Sequence, residues 1–167
     1  LSPDAIAISR ANFAASQARA VQVKFASCDF RDYAKLEGLG PKSLTLIITN
    51  PPMGKRVRVP SLRGLVQDLF AVAAVVLKPG GRVICLEISK PPKNLLRPFF
   101  LFFFNKIVPF VGGLISGQRD AYTYLPQSVN EFLTPDELKV IMERAGLRDV
   151  KYRRLMMSTV AIHEGIK

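Results

Sequence analysis

Apolar residues recur along this chain in two rhythms, short β-branched runs of strand type and longer stretches with a helical repeat. Ser2-Pro3-Asp4 places a capping hydroxyl, a first-turn proline and a first-turn acid before Ala5-Ile6-Ala7-Ile8, which predicts a helix reaching about Ala15. Val21 to Phe25 alternates apolar and polar and runs into Ser27-Cys28-Asp29-Phe30, the pattern of a strand followed by a loop. Gly38 to Ser43 reads as a turn ahead of the buried strand Leu44–Thr49. A helix is expected from about Leu62 to Leu77, with Leu65, Leu69, Ala73 and Val76 on one face. Lys78-Pro79-Gly80-Gly81 ends it and Arg82–Ile88 forms the next strand. Leu95 to Ile115 is the most apolar stretch, yet Arg97, Pro98, Asn105, Lys106 and Pro109 interrupt it too often for a membrane span. A lid or interfacial element, inserted over residues 90–130, fits it better. Thr134-Pro135-Asp136-Glu137 starts another helix that Ala145-Gly146 closes. Val150-Lys151-Tyr152 and Met157 to His163 follow as two closing antiparallel strands. This alternation predicts an α/β fold with a doubly wound, Rossmann-like sheet.

Composition narrows the reading. With 167 residues and 49% hydrophobic content the chain suits one domain with a proper core. Its formal net charge of +11 favours a polyanionic partner, RNA or an anionic membrane surface. Cys28 and Cys85 lie far apart, without metal-type spacing, in what read as buried strands, the usage of a reducing cytoplasm. Leu1 to Arg19 is amphipathic and unlike a signal peptide, and the lack of an initial methionine suggests that sequence is missing upstream.

The narrowest chemical signal is Asn50-Pro51-Pro52-Met53, directly after the Leu44–Thr49 run. It puts a polar amide at the carboxyl end of a buried parallel strand, where open α/β sheets hold their ligands. The two prolines fix φ, remove two backbone donors and leave the carbonyls of Asn50 and Pro51 free to accept hydrogen bonds from an amino group. The plain alternative is a stiff turn that merely ends the strand. At this motif the chain resembles S-adenosylmethionine-dependent methyltransferases that act on an exocyclic nitrogen, with Met53 standing where those enzymes carry an aromatic.

Two more specific resemblances divide the chain. Residues 1–88 resemble the THUMP-associated transfer-RNA guanine N-methyltransferases through LSPDAIAISRANFAAS, TLIITNPPMGKRVRVPSL and DLFAVAAVVLKPGGRV. Residues 86–167 resemble the ubiquinone/menaquinone biosynthesis C-methyltransferases through LEISKPPKNLL, GQRDAYTYLPQSV, ELKVIMERAGLRDVKY and VAIHEGIK. Both resemblances imply S-adenosylmethionine as cofactor and no metal. In both families a glycine-rich loop and a ribose-binding acid precede the point where this sequence begins, so the chain reads as a truncated or hybrid domain, residues 1–167, without its first β-loop-α unit.

The resemblance assigns Asp29 and Phe30 to the adenine ring, a carboxylate for the amino group and a backbone amide for the ring nitrogen, with Leu1 against the adenine face and Asn50 beside the transferred methyl. An ordinary loop acid paired with Arg31 is the alternative for Asp29. Lys55, Arg56, Arg58 and Arg63 put four cations in nine residues after the motif, suited to RNA phosphates or simply to a solvated loop. Arg119, Asp120, Tyr122 and Tyr124 resemble a quinone-cavity lining, against a structural ion pair beside core aromatics. His163, the sole histidine, reads as structural. The leading expectation is methylation of a guanine amino group in structured RNA, with Asn50 and Pro51 orienting the amine. Carbon methylation of a prenylated quinone at the membrane periphery is the alternative, and a fragment without activity the third possibility.

Overall fold

The computed structural model describes residues 3–15, 23–51, 61–88, 97–107, 110–111, 133–156 and 158–167. Helix α1 (Pro3–Ala15) is followed by a short 3-10 helix (Phe30–Lys35), strand β1 (Leu44–Thr49), helix α2 (Leu62–Val76) and strand β2 (Leu77–Ile88). Helix α3 (Arg97–Phe102) runs on into a π turn (Phe103–Ile107). Helix α4 (Pro135–Arg144) and strands β3 (Arg148–Leu155) and β4 (Val160–Ile166) complete the order.

The strands form one sheet in the order β1-β2-β4-β3. β1 and β2 are parallel, with Ile47 opposite Val83 and Thr49 opposite Cys85. α2 is the crossover between them. β4 lies antiparallel to β2, with Cys85 opposite His163 and Glu87 opposite Ala161. β3 pairs antiparallel with β4 at the far edge, Tyr152 opposite His163. The closing antiparallel hairpin forms, its second strand running from Val160 to Ile166 and so three residues later than the expected Met157 to His163.

One sheet face is packed by α2 and α4. Val66 and Phe70 of α2, Leu138, Ile141 and Met142 of α4, Val83 and Cys85 of β2 and Val150 of β3 make a single buried cluster. Each such side chain contributes roughly 1.5–3 kcal/mol by leaving water. Leu65, Ala73 and Val76 of the expected stripe are buried, and Val66, Phe70 and Ala74 widen it. Gly165 of β4 lets this layer close, since a Cβ there would lie 3.2 Å from Met142 Cε and 3.3 Å from Leu147 Cβ.

The helix ends follow their sequence signals. Ser61 caps α2 by accepting from the Gly64 N–H at 3.0 Å. Thr134 and Glu137 form a reciprocal capping box on α4 with Pro135 in the first turn. Gly146, at φ +91°, turns the chain out of α4 into β3.

Four expectations need correction. β1 is an edge strand with Leu46 and Ile48 47% and 71% exposed, not the buried strand expected of Leu44–Thr49. Residues 23–29 carry no strand, and Val21 lies outside the described residues. Phe25 meets Phe13 of α1 edge to face at 6.2 Å, so a helix and not a neighbouring strand holds this segment. Cys28 is consequently exposed, while Cys85 is buried as expected. β2 begins at Leu77, because Lys167 pairs back onto the turn: the Gly80 N–H donates to the Lys167 carbonyl at 2.8 Å and the Lys167 N–H to the Gly81 carbonyl at 2.9 Å.

Candidate functional site

Asn50 stands at the carboxyl end of β1, exposed, one residue past the Thr49–Cys85 pair, and Pro51 is buried behind it. The buried ring anchors the backbone, and the amide projects where its oxygen can accept and its nitrogen donate. Among the described residues nothing hydrogen-bonds to the Asn50 side chain. Arg63, at the start of α2, is committed elsewhere: its Nη1 lies 3.3 Å from Glu137 Oε1 and ties α2 to α4. Of the four cations of the basic stretch only Arg63 lies among the described residues.

Asp29 caps the 3-10 helix, its Oδ1 accepting from the Arg31 N–H at 2.9 Å. Arg31 bridges two acids, with Nη1 3.1 Å from Asp29 Oδ2 and Nη2 2.9 Å from Asp68 Oδ2. Its Nε also donates to Asp68 Oδ2 at 3.0 Å. Hydrogen bonding to Asp68, together with the charges of Asp29 and Asp68, raises the guanidinium above its ordinary value. The same guanidinium lies 4.9 Å from the Phe30 ring. The loop-acid alternative for Asp29 is thus realised in part, yet the carboxylate side chain is 49% exposed and keeps lone pairs for a further donor. The Phe30 N–H belongs to the first-turn amides that a short helix leaves without an internal acceptor. A carboxylate and a first-turn amide on adjacent residues fit an adenine edge.

A third group escaped the sequence reading. Glu87 points inward from β2 and is fully buried, with neither carboxylate oxygen hydrogen-bonded. His163 of β4 is also fully buried. Its Nε2 lies 3.0 Å from the Pro135 carbonyl, so Nε2 carries the proton and Nδ1 presents a lone pair, 3.9 Å from Glu87 Oε1. Burial pushes the Glu87 carboxyl up to about 8, opposed by the nearby Arg154 charge. Burial holds the His163 imidazole below its ordinary value, opposed by the Pro135 hydrogen bond. The pair is a neutral acid facing a neutral imidazole, not an ion pair. Burial and the Glu87 charge push the Cys85 thiol up to about 12, which makes it inert. The missed signal was an acid in the inward register of a strand, Val83, Cys85, Glu87.

The structure does not join Asn50 to Asp29 by any hydrogen bond among the described residues. Leu1, Pro52, Met53, Lys55, Arg56, Arg58, Arg119, Asp120, Tyr122 and Tyr124 lie outside the described residues. A cleft of about 830 Å³ opens between α1, residues 23–26 and the turn at 36–39. It reaches Leu44 at the amino end of β1, the end away from Asn50, and so is not where this sheet type receives ligands.

Solved structures share the arrangement. A Bordetella parapertussis protein superposes with a TM-score of 0.62 at 20% identity, covering 99% of this chain and 51% of its own. An O-methyltransferase family protein from Burkholderia thailandensis gives 0.57 at 16% identity, over 95% of this chain and 40% of its own. The fold is the Rossmann-like methyltransferase fold, a class whose methyl donor is S-adenosylmethionine. Within that class the chain belongs to the ubiE/COQ5 methyltransferase family, matched over residues 65–167. Residues 1–100 match the model of the methyltransferase small domain. The chain is 41% identical over 105 residues to the ubiquinone/menaquinone biosynthesis C-methyltransferase of Desulfotalea psychrophila, 61% of this chain and 43% of the relative. It is 46% identical over 90 residues to the demethylmenaquinone methyltransferase of Thermus thermophilus, 54% of this chain and 40% of the relative. The chain spans about two fifths of the length of these relatives. The quinone resemblance reaches upstream of Leu86 into α2, and the comparisons favour it over the transfer-RNA one.

Proposed function

We propose that this chain serves an S-adenosylmethionine-dependent C-methyltransferase whose substrate is a prenylated quinone precursor of the ubiquinone or menaquinone type. The observation that carries the reading is the family match over residues 65–167, which begins within α2 and extends over β2, α3, α4, β3 and β4. The reading is supported by the relatives, a ubiquinone/menaquinone biosynthesis C-methyltransferase and a demethylmenaquinone methyltransferase.

The bound donor supplies an electrophilic methyl group on sulfur. The chain's own contribution is positional. Asp29 and the Phe30 amide hold the adenine edge. Asn50, uncommitted at the strand end, holds a ring oxygen of the acceptor so that the neighbouring carbon faces the methyl. The methylated ring carbon then gives up its proton. The same amide supports a second reading, in which Asn50 and Pro51 accept from an exocyclic amine of structured RNA, favoured by the +11 charge.

Radiolabelled methyl transfer from S-adenosylmethionine to demethylmenaquinol and to unmodified transfer RNA separates the two. Label in the quinol supports the first reading. Label in the RNA alone replaces it with the second.

A further inference from the structure

Phe99, Phe102, Phe103 and Phe110 are 74%, 62%, 51% and 67% exposed, and Ile107 and Val111 are 38% and 44% exposed. Phe99, Phe102, Phe103 and Ile107 recur at the three- to four-residue spacing of one helix face, and Phe110 and Val111 are exposed further along the chain. Along α3 and its π turn that stripe faces solvent, whereas α2 and α4 turn theirs into the core. Grouped apolar exposure of this kind marks an interaction surface.

Charge selects the occupant. From Ser89 to Arg119 the sequence holds Lys90, Lys93, Arg97, Lys106 and Arg119 and no aspartate or glutamate, in a chain of net charge +11. An apolar stripe flanked by cations matches an anionic lipid surface, which attracts the cations and receives the rings at the depth of the headgroups. Phenylalanine has no polar tip, so the stripe suits a hydrocarbon boundary better than the hydrogen-bonding edges of nucleic-acid bases. No helix of the described residues is long and apolar enough to cross a membrane.

We propose that residues 97–107, together with Phe110 and Val111, form a membrane-docking surface that seats these phenylalanines in the interface of an anionic bilayer. The inference deepens the quinone reading, since an isoprenoid-tailed acceptor resides in the bilayer, and rests on that reading only for the purpose of docking. The stripe and the charge carry the docking itself.

Co-sedimentation of the 167-residue chain with phosphatidylcholine vesicles, with and without phosphatidylglycerol, tests it. Binding to the anionic vesicles should be roughly tenfold or more tighter and should weaken with salt. Phe99→Ser, Phe102→Ser and Phe110→Ser together should weaken binding on the order of a hundredfold, with an unchanged circular dichroism spectrum, because these rings are exposed. The matching leucine triple should still bind. Absence of binding, or binding unaffected by the serine triple, overturns the proposal. So does a dimer that the serine triple dissolves while vesicles are ignored, which would make a second copy the occupant. Loss of transfer-RNA binding without loss of vesicle binding in the same variant also overturns it. Methyl transfer to a short-tailed quinol without lipid tests the functional reading separately: transfer without docking sinks only this inference, and docking without transfer sinks only that reading.

Discussion

The buried Glu87–His163 pair should make the stability of this domain depend on pH in one particular window. The native Glu87 carboxyl titrates near 8 and the unfolded one near 4.5. His163 titrates below its unfolded value of 6.5 when folded. A raised acid gives stability that is lost as pH rises through its folded value, and a depressed imidazole gives stability that is lost as pH falls. Just below 6.5, where the native imidazole is neutral, the two trends cancel, because the unfolded pair and the native pair each hold one proton, on the imidazole in one and on the carboxyl in the other. Above 6.5 the unfolded pair has lost its proton and the native pair keeps it until about 8. Stability should therefore fall by ~1.4 kcal/mol per pH unit across that window, a total of ~2 kcal/mol. For a domain of this size that is about 4–8 °C in melting temperature. The window is clean because the chain contains one histidine. Urea or thermal unfolding at pH 6.5 and 8 measures it. Glu87→Gln keeps a polar side chain of the same size facing His163 Nδ1 without a titrating proton, so it should flatten the profile and be the more stable protein at the alkaline end. A wild-type profile level to within ~0.5 kcal/mol, or a slope that survives in Glu87→Gln, would refute the reasoning.

Three further outcomes are expected. Asn50→Ala should abolish methyl transfer while leaving the melting temperature nearly unchanged, since the side chain is exposed; activity within about threefold of wild type, ~0.7 kcal/mol of barrier, would end its assigned role. Asp29→Ala should weaken S-adenosylhomocysteine binding by roughly tenfold in isothermal titration, the worth of one charge-assisted hydrogen bond, and an unchanged affinity would remove Asp29 from the adenine site. Gly81→Ala should lower stability by about 1–3 kcal/mol, because a Cβ there would lie 2.9 Å from the Lys78 carbonyl and 3.3 Å from that of Leu44, backbone atoms on both sides; a melting curve superimposable on wild type would contradict that packing.

Local signals in the sequence determined the elements whose stability is local. The Thr134-Pro135-Asp136-Glu137 cap and the Leu62–Val76 stripe need only neighbouring residues to declare themselves, and each forms where its pattern lies. The strand-end amide of Asn50 was equally legible, because a β-branched run followed by two prolines has few other conformations. Alternation alone could not make a strand of the Val21 to Phe25 segment, whose described residues 23–25 carry none. A strand exists only through a ladder partner, and here the segment packs on α1 instead. Nor could the sequence show that Arg31 would join Asp29 to Asp68, which is 37 positions from Arg31, or that Glu87 would meet His163 across two strands. Those are facts of register. The pairing of Cys85 with His163 and of Glu87 with Ala161 puts an acid and an imidazole into one dry layer under α4, and only that shared burial makes either group unusual.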